Sequence, residues 1–279
     1  MKNIKRSVYV FLLSIVAASC IERIDVMTDY ISSRWVIYGY ITTDAKQHSI
    51  RITRSAGYFT EDSPAGVSGA AVTISDDAGN VFYLDENPED PGLYQTADDV
   101  RGEEGKTYTL DVQANAQHYR ASAHMIHLND IDSVQLQTSA FSENLVEVRV
   151  FADFPKENHY NIFVSVNDSL RNSTINRFRV TSNFNSGMSC YVLRKSPDDD
   201  DENNNRLRPG DKVTVTINAI SEEYATFIST AQTELNGNIP IFSGPPANVP
   251  SNIREVNTQT LALGFFTAFP SRFGNATYE

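Results

Sequence analysis

The sequence predicts a mainly β protein, in which an N-terminal immunoglobulin-like β-sandwich precedes a second β-rich domain with one helix at about 222–236. Short runs that alternate apolar and polar residues recur along the chain, as in strands that bury one face. Turn-forming Gly, Asn and Asp residues separate these runs. Only one stretch carries apolar residues at the three- and four-residue spacing of a helix.

The first domain is predicted to cover residues 34–125. Its runs are rich in aromatic and β-branched residues, which favour strands. Seven short strands with turn signals between them are typical of an immunoglobulin-like sandwich. The predicted strands are 34–42, 49–53, 71–75, 81–84, 92–96, 107–112 and 117–123.

The second domain is predicted to cover residues 126–279. Residues 124–133 are interpreted as the junction between the domains, and the residues after 269 as a polar tail. A proline-rich stretch at 237–253 cannot be a central strand, because proline donates no ladder hydrogen bond. The candidate strands are 145–151, 159–166, 174–182, 190–195, 212–217 and 260–269.

The helix is the best-marked element of the second domain. Ser221 suits an N-cap, and Glu222 and Glu223 place negative charge in the first turn, where the helix dipole favours it. Gly237 stands where a C-terminal stop is expected. We interpret the apolar stripe as a face packed on a sheet, and it consists of Tyr224, Phe227, Ile228, Ala231 and Leu235.

The N-terminus has the order of a secretory signal peptide. Basic Lys2, Lys5 and Arg6 precede an apolar run at 8–18, and small residues follow it. The run is shorter than the roughly 20 residues that a membrane-spanning helix needs. Residues 1–19 are therefore predicted to be a cleaved signal, and residues 20–33 a lipidated N-terminus and tether.

Cys20 is the predicted lipidation site. Ala17-Ala18-Ser19-Cys20 resembles the lipobox that lipoprotein signal peptidase reads, although Leu is commoner at the first position. Acyl chains on the cysteine would hold the mature protein on membrane lipid, since each buried methylene contributes roughly 0.8 kcal/mol. The alternative is an ordinary secreted protein in which Cys20 is incidental.

The second cysteine and the net charge restrict the disulfides and the binding partners that the protein can have. The second cysteine, Cys190, has no partner if Cys20 is lipidated, and its strand-like setting predicts a small buried residue. The chain has 23 basic and 35 acidic residues, a net charge of −12. Loss of the three basic residues of the signal makes the mature form −15. So acidic a surface repels phosphate backbones, which argues against a nucleic-acid partner.

No catalytic motif is found in the sequence. The Gly-x-Ser-x-Gly elbow, the phosphate-binding loop and the dinucleotide-binding glycine turn are all missing. We therefore expect a protein that is not an enzyme, with no catalytic residue and no cofactor. Acidic pairs are numerous, but a glycosidase needs two carboxylates that face each other at a set separation, which sequence does not reveal.

Two residue groups are candidate metal ligands. His124 and His127 are three apart and would point to opposite faces of a strand, so we expect all the histidines, including His48, His118 and His159, on the surface or in loops. Asp198, Asp200 and Glu202 are weak calcium candidates. A calcium loop of the EF-hand type needs Gly and Glu where Asn203 and Pro209 stand, so a solvated hairpin loop is favoured.

Several segments together carry a family resemblance. The chain resembles the Bacteroidota outer-membrane lipoprotein family called domain of unknown function 4249. Ser243–Asn248 (Ser-Gly-Pro-Pro-Ala-Asn) is the most specific segment. Besides Cys20, the others are 67–74, 77–79, 92–94, 105–110, 131–133, 209–211, 221–224, 252–253 and 263–266.

The resemblance implies an outer-membrane lipoprotein, often encoded beside a TonB-dependent transporter. The leading functional hypothesis is a lipid-anchored, non-catalytic accessory or binding protein of such a nutrient uptake system, on either the cell surface or the periplasmic face. A structural or adhesive surface protein and a surface hydrolase are the alternatives. The resemblance also implies candidate O-glycosylation at Ser133 and Ser169, each in an Asp-Ser-aliphatic triplet.

Overall fold

A computed structural model describes residues 33–55, 64–196, 206–236 and 248–279. The signal peptide, Cys20, Gly237 and the calcium candidates Asp198, Asp200 and Glu202 lie outside the described residues. The strands up to the middle of the chain are β1 (Trp35–Thr42), β2 (Ser49–Arg54), β3 (Ala71–Asp76), β4 (Val81–Glu86), β5 (Leu93–Gln95), β6 (Thr107–Ala114), β7 (Gln117–His124), β8 (Ile131–Ser139) and β9 (Ser142–Ala152).

The second half adds eight strands, a short 3-10 helix and an α-helix to the described residues. They are β10 (His159–Val166), β11 (Ser169–Leu170), the 3-10 helix (Ile175–Arg177), β12 (Arg179–Ser182), β13 (Met188–Arg194), β14 (Lys212–Ile220), helix α1 (Glu222–Leu235), β15 (Arg254–Glu255), β16 (Leu263–Phe269) and β17 (Ser271–Thr277).

The first sheet has nine strands in the order β15-β7-β6-β3-β4-β5-β2-β1-β16. The sheet curls so that its two ends face each other. This is shown by Trp35 on β1, which packs against Tyr119 on β7 with ring centroids 5.3 Å apart. The inward residues form one core that includes Ile37, Ile52 and Leu110. The seven predicted strands and the immunoglobulin-like sandwich are thereby confirmed.

Strand β16 joins the first sheet although it lies near the end of the chain. It pairs in parallel with β1, from Val36 opposite Leu263 to Thr42 opposite Phe269. The close approach needs a glycine at position 264, where φ is +95° and a Cβ atom would stand 2.0 Å from the Ile37 carbonyl oxygen. Residues that the sequence analysis assigned to the second domain thus complete the first sheet.

The second half forms another pair of sheets around its own core. One sheet has the order β11-β10-β14-β17, with β12 also on β10, and the other has the order β13-β9-β8. The buried residues between them include Val148, Ile162 and Val215. Gly274 on β17 lies so near β8 that an added Cβ atom would stand 2.6 Å from Val134, so the two sheets are in close contact.

Three sequence predictions for this half need correction. The predicted junction at 124–133 is shorter, because residues 125–130 lie outside strands but β8 begins at Ile131, and the predicted polar tail is strand β17. Both strands leave many of their side chains exposed, so their composition resembles that of loops. The single strand predicted at 174–182 is a 3-10 helix followed by β12.

Helix α1 confirms the predicted helix and its cap. The Ser221 hydroxyl accepts a hydrogen bond from the Tyr224 backbone at 3.2 Å. Tyr224, Phe227 and Ile228 are buried against Phe265 on β16, and each such side chain contributes roughly 1.5–3 kcal/mol. Leu235 is wrongly included in the predicted stripe, since it is 61% exposed in the last turn.

The predicted turn after β3 is organised by Asp76, a buried carboxylate. It accepts hydrogen bonds from the Ala78 backbone (3.0 Å), the Asn80 backbone and side chain (2.8 Å each) and the Lys106 ammonium (3.1 Å). Burial alone would raise the pKa of Asp76, but these bonds outweigh it and lower the pKa to about 2. The ionised carboxylate therefore holds β3, β4 and β6 together.

His48 lies in the loop before β2, which fits the expectation of a surface or loop residue, but it is buried there, with 1% exposure. Its Nε2 is 3.0 Å from the Val100 carbonyl oxygen. Its Nδ1 lies near the Asp44 backbone but has no hydrogen-bond partner within the described part of the chain. Burial, with a smaller contribution from Lys46, lowers the pKa of His48, so the neutral ring is favoured.

Replacing Asp76 with Ala should lower the free energy of unfolding by about 2–4 kcal/mol, because Lys106 and three backbone or amide donors lose their acceptor. Urea unfolding at neutral pH measures the loss. The pKa of Asp76 is lower in the folded state, so its contribution is complete above about pH 4 and declines as the pH falls through about 2.

The matched control is Asp85→Ala, which removes an exposed carboxylate from the neighbouring strand β4. We expect a change within about 0.5 kcal/mol for this variant. Equal losses for Asp76→Ala and Asp85→Ala would contradict the structural role of Asp76.

Acid should weaken the fold through His48 before most carboxylates titrate. A group with a lowered pKa in the folded state stabilises the protein above its ordinary pKa of 6.5, and that contribution declines as the pH falls through the folded pKa. The unfolding free energy should therefore drop below pH 6.5, by at most about 1.4 kcal/mol per pH unit from this residue.

Urea unfolding of the wild type and of His48→Gln at a series of pH values between 7.5 and 5 measures this effect. Gln keeps a donor for the Val100 carbonyl but does not titrate, so its curve should be flatter. Parallel curves for the two proteins would show that His48 is not the group responsible.

Candidate functional site

The candidate site is a cleft of about 310 Å³, called the aromatic cleft below. It lies where the outer face of β1 and β16 meets the sheet of β10, β14 and β17 beside the first turn of α1. Its described lining is Tyr38, Tyr40, Thr42, Asp44, Lys46, Asn161, Phe163, Leu170, Phe178, Thr216, Asn218, Tyr224, Phe269, Ser271 and Phe273.

Strand alternation supplies the aromatic walls of the cleft. Because Ile37 and Ile41 point into the first core, Tyr38 and Tyr40 point to the opposite face of β1. Tyr40 packs on Phe269 with ring centroids 5.2 Å apart. From the other sheet and its flank, Phe163 meets Phe178 edge to face at 5.0 Å. The described walls therefore offer ring faces and edges from several elements.

The floor of the cleft is polar and uncharged. Asn161 on β10 lies opposite Asn218 on β14 in the strand register, and both are almost fully buried, at 2% and 4% exposure. The Asn218 Oδ1 accepts a hydrogen bond from the Ser271 hydroxyl at 2.8 Å. The Asn161 Oδ1 has no partner among the described residues. Thr216 and Thr42 add further hydroxyl groups.

Charge is balanced at the rim of the cleft. The Lys46 ammonium is 3.1 Å from the Asp44 carboxylate and 6.0 Å from the ring centroid of Tyr40. These two residues carry opposite charges and are the charged members of the described lining. The described surface of the cleft is therefore close to electrically neutral.

Two tyrosines at the helix end share a hydrogen bond, with the Tyr38 and Tyr224 hydroxyl oxygens 2.7 Å apart. Burial raises the pKa of Tyr38, and the bond to Tyr224 opposes that only in part. Burial and the neighbouring Tyr38 raise the pKa of Tyr224 well above its ordinary value. Both phenols therefore stay protonated near neutral pH and act as hydrogen-bond donors and acceptors rather than as bases.

The site residues predicted from the sequence do not lie together in the described structure. Ser133 is exposed on β8, and Ser169 is exposed on β11, next to the cleft residue Leu170. Cys190 is fully buried on β13, as predicted, and burial raises the pKa of its thiol to about 11.

The histidines do not form a metal site in the described part of the chain, where no group of three or more potential ligands is found. His127 pairs with Glu104, which also binds Arg272 at 2.8 Å. His124 lines a second cleft of about 330 Å³ together with Asn252. Both polar ends of the Asn252 side chain are satisfied by the Phe266 backbone, at 2.7 and 3.0 Å.

Sequence reasoning did not find the aromatic cleft. The alternation Tyr38-Gly39-Tyr40 indicates a strand with aromatic residues on the face away from Ile37 and Ile41. This local pattern could have predicted one aromatic wall of the cleft. The meeting of this face with Asn161 depends on how the two halves of the described chain pack, for which a single sequence carries no periodicity.

The hydrogen bond between Tyr38 and Tyr224 should appear as a coupling energy. Tyr38→Phe and Tyr224→Phe should each cost about 1 kcal/mol, because each leaves the other hydroxyl without its partner. The double variant should cost less than the two losses together, by about 0.5–1.5 kcal/mol. Urea unfolding of the four proteins in the cycle measures this difference.

Tyr83→Phe serves as the control for removal of a tyrosine hydroxyl, since Tyr83 is 74% exposed on β4. It should change stability by less than about 0.5 kcal/mol. Strict additivity of the two cleft substitutions would show that the bond between the phenols contributes nothing.

No described helix is both long and apolar enough to cross a membrane.

Comparisons with known proteins bear on the identity of the chain. A solved two-domain fibronectin type III segment of chicken tenascin aligns with 67% of this chain and 90% of its own, at 12% identity and a TM-score of 0.21. No curated protein matches the chain.

The decisive match is to a family model. The model described as domain of unknown function 4249 matches residues 21–272, which is most of the 279-residue chain. The match covers both halves of the described fold, from β1 to the start of β17. The chain therefore belongs to the family of domain of unknown function 4249.

Proposed function

We propose that this protein is a lipid-anchored, non-catalytic binding protein that serves an outer-membrane uptake system and holds a small molecule in the aromatic cleft. The observation that carries the binding part is the lining of the cleft. Aromatic walls with a few buried, neutral polar groups are the usual composition of small-molecule sites.

The anchoring part of the proposal is supported by the sequence. Basic residues, a short apolar run and Ala17-Ala18-Ser19-Cys20 form the signal of an exported lipoprotein. The resemblance to Bacteroidota lipoproteins encoded beside TonB-dependent transporters supplies the transporter as the proposed partner. A binding protein held on the outer membrane would keep its ligand near the mouth of that transporter.

The cleft favours binding over hydrolysis. A glycosidase uses two carboxylates on either side of the scissile bond, whereas the described lining contains one, Asp44, which is paired with Lys46. The two phenols are held in their protonated forms, which suits them to hydrogen bonding rather than to proton abstraction. The adhesive alternative would need no small-molecule cleft.

Crosslinking in the native cell, purification through this protein and mass spectrometry should recover a TonB-dependent transporter in stoichiometric amount. The Cys20→Ala variant, which cannot accept lipid, should leave the outer-membrane fraction and lose the transporter. The reason is that lipid attachment confines both partners to one surface and so raises their effective concentration.

Tyr83→Ala is the control, because it removes an exposed aromatic side chain distant in sequence from the lipid site. It should purify with the same partners as the wild type. Recovery of matrix components without any transporter would instead support the adhesive alternative, and turnover of a glycan that depends on Asp44 would support the hydrolase.

A further inference from the structure

We infer that the aromatic cleft takes an uncharged ring compound rich in hydroxyl groups, a pyranose sugar unit, and that the Asn161 carboxamide is its buried polar anchor. This inference rests on the proposed binding function and names its ligand class. Three independent features of the cleft lead to it: the unpartnered Oδ1 of Asn161, the ring faces around it and the absence of net charge in the described lining.

Asn161 is the strongest of these features. Its Oδ1 is buried without a hydrogen-bond partner among the described residues, although an unsatisfied buried acceptor costs about 1–3 kcal/mol. Its neighbour across the strands, Asn218, has its Oδ1 satisfied by Ser271. The same residue type in the same setting thus has a donor for its Oδ1 on one strand and none on the other, and a ligand hydroxyl would supply the missing donor.

The position of Asn161 suits an anchor. It lies in the middle of β10, between β12 and β14, and its backbone is held in the ladder on both sides. A polar group fixed on a strand loses little freedom when it binds, so its hydrogen bond is preorganised. The amide can also present its oxygen or its nitrogen, which matches a hydroxyl that both donates and accepts.

The aromatic walls of the cleft match the C–H face of a pyranose ring. A pyranose has a face of C–H bonds and an edge of hydroxyl groups. The faces of aromatic rings are electron-rich and attract the slightly positive C–H hydrogens. Tyr40 and Phe269 offer such rings on one side of the cleft, and Phe163 and Phe178 offer them on the other.

Charge and size restrict the ligand further. Asp44 and Lys46 neutralise each other, so a charged ligand would have to break their ion pair to gain a partner in the described lining. A volume of about 310 Å³ is at the lower end of the range for small-molecule sites. One or two sugar rings are therefore the size of ligand that the cleft accommodates.

The test is saturation-transfer NMR on the mature lipidated protein, held in a detergent without a sugar headgroup. The probes are methyl α- and β-glucopyranoside, methyl galactopyranoside and maltose, with cyclohexanol and phenol as apolar and aromatic rings of similar size. We expect saturation transfer to the ring hydrogens of the pyranosides. An excess of maltose should displace the methyl pyranosides and abolish that transfer.

Asn161→Leu is the key variant, with Tyr83→Ala as its control. The leucine keeps the branching and the number of heavy atoms but removes the polar group, so affinity for the pyranosides should fall about tenfold. The urea midpoint of unfolding should stay equal or rise, because an unsatisfied buried acceptor has been removed. The control should bind as the wild type does.

Other outcomes would overturn the inference in distinct ways. Saturation of phenol or cyclohexanol without the pyranosides would show an apolar or aromatic ligand. Unchanged pyranoside affinity in Asn161→Leu, with lower stability, would show that Asn161 holds a structural water. Failure of every ring probe would overturn this inference while leaving the transporter purification as a separate test of the proposed function.

Discussion

The parallel pairing of β1 with β16 is the constraint on which the rest of the described structure depends. It joins residues from the two ends of the described chain and closes the first sheet around its core. The pairing leaves no room for a side chain at position 264, where an added Cβ atom would stand 2.0 Å from the Ile37 carbonyl oxygen. A single glycine therefore decides whether the last part of the chain can return to the first sheet.

This pair is covered on both faces, and the aromatic cleft is a consequence. Ile37 and Phe266 point into the first core, while Tyr38 and Phe265 point outward and are covered by α1. The outward face continues to Tyr40 and Phe269, which pack on each other, and Phe269 also packs on Tyr224 of α1. Since β14 continues directly into α1, and β17 directly follows β16, the second sheet is drawn against this face. The cleft is the space left between them.

The sequence predicted those elements that depend on residues close together in the chain. Alternation located the strands of the first domain, and the cap at Ser221 located α1, because each depends on a few neighbouring residues. The parallel partner of β1 and the contact of Tyr40 with Phe269 depend on residues more than 200 positions apart, for which one sequence gives no periodic signal. Strand β17 was missed because its exposed alternate residues make it as polar as a loop.

The segments that carry the family resemblance serve the fold more than the cleft. Gly92 has φ of +83° beside the Ile52 carbonyl, Asn252 ties the chain to Phe266, and Gly264 admits the parallel pair. Of the described residues that line the aromatic cleft, only Tyr224 falls in those segments. The segments shared with the family therefore include residues that hold turns and contacts of the fold. The chemistry of the ligand has to be read from residues such as Asn161, whose open acceptor is a cost to stability that the fold alone does not require.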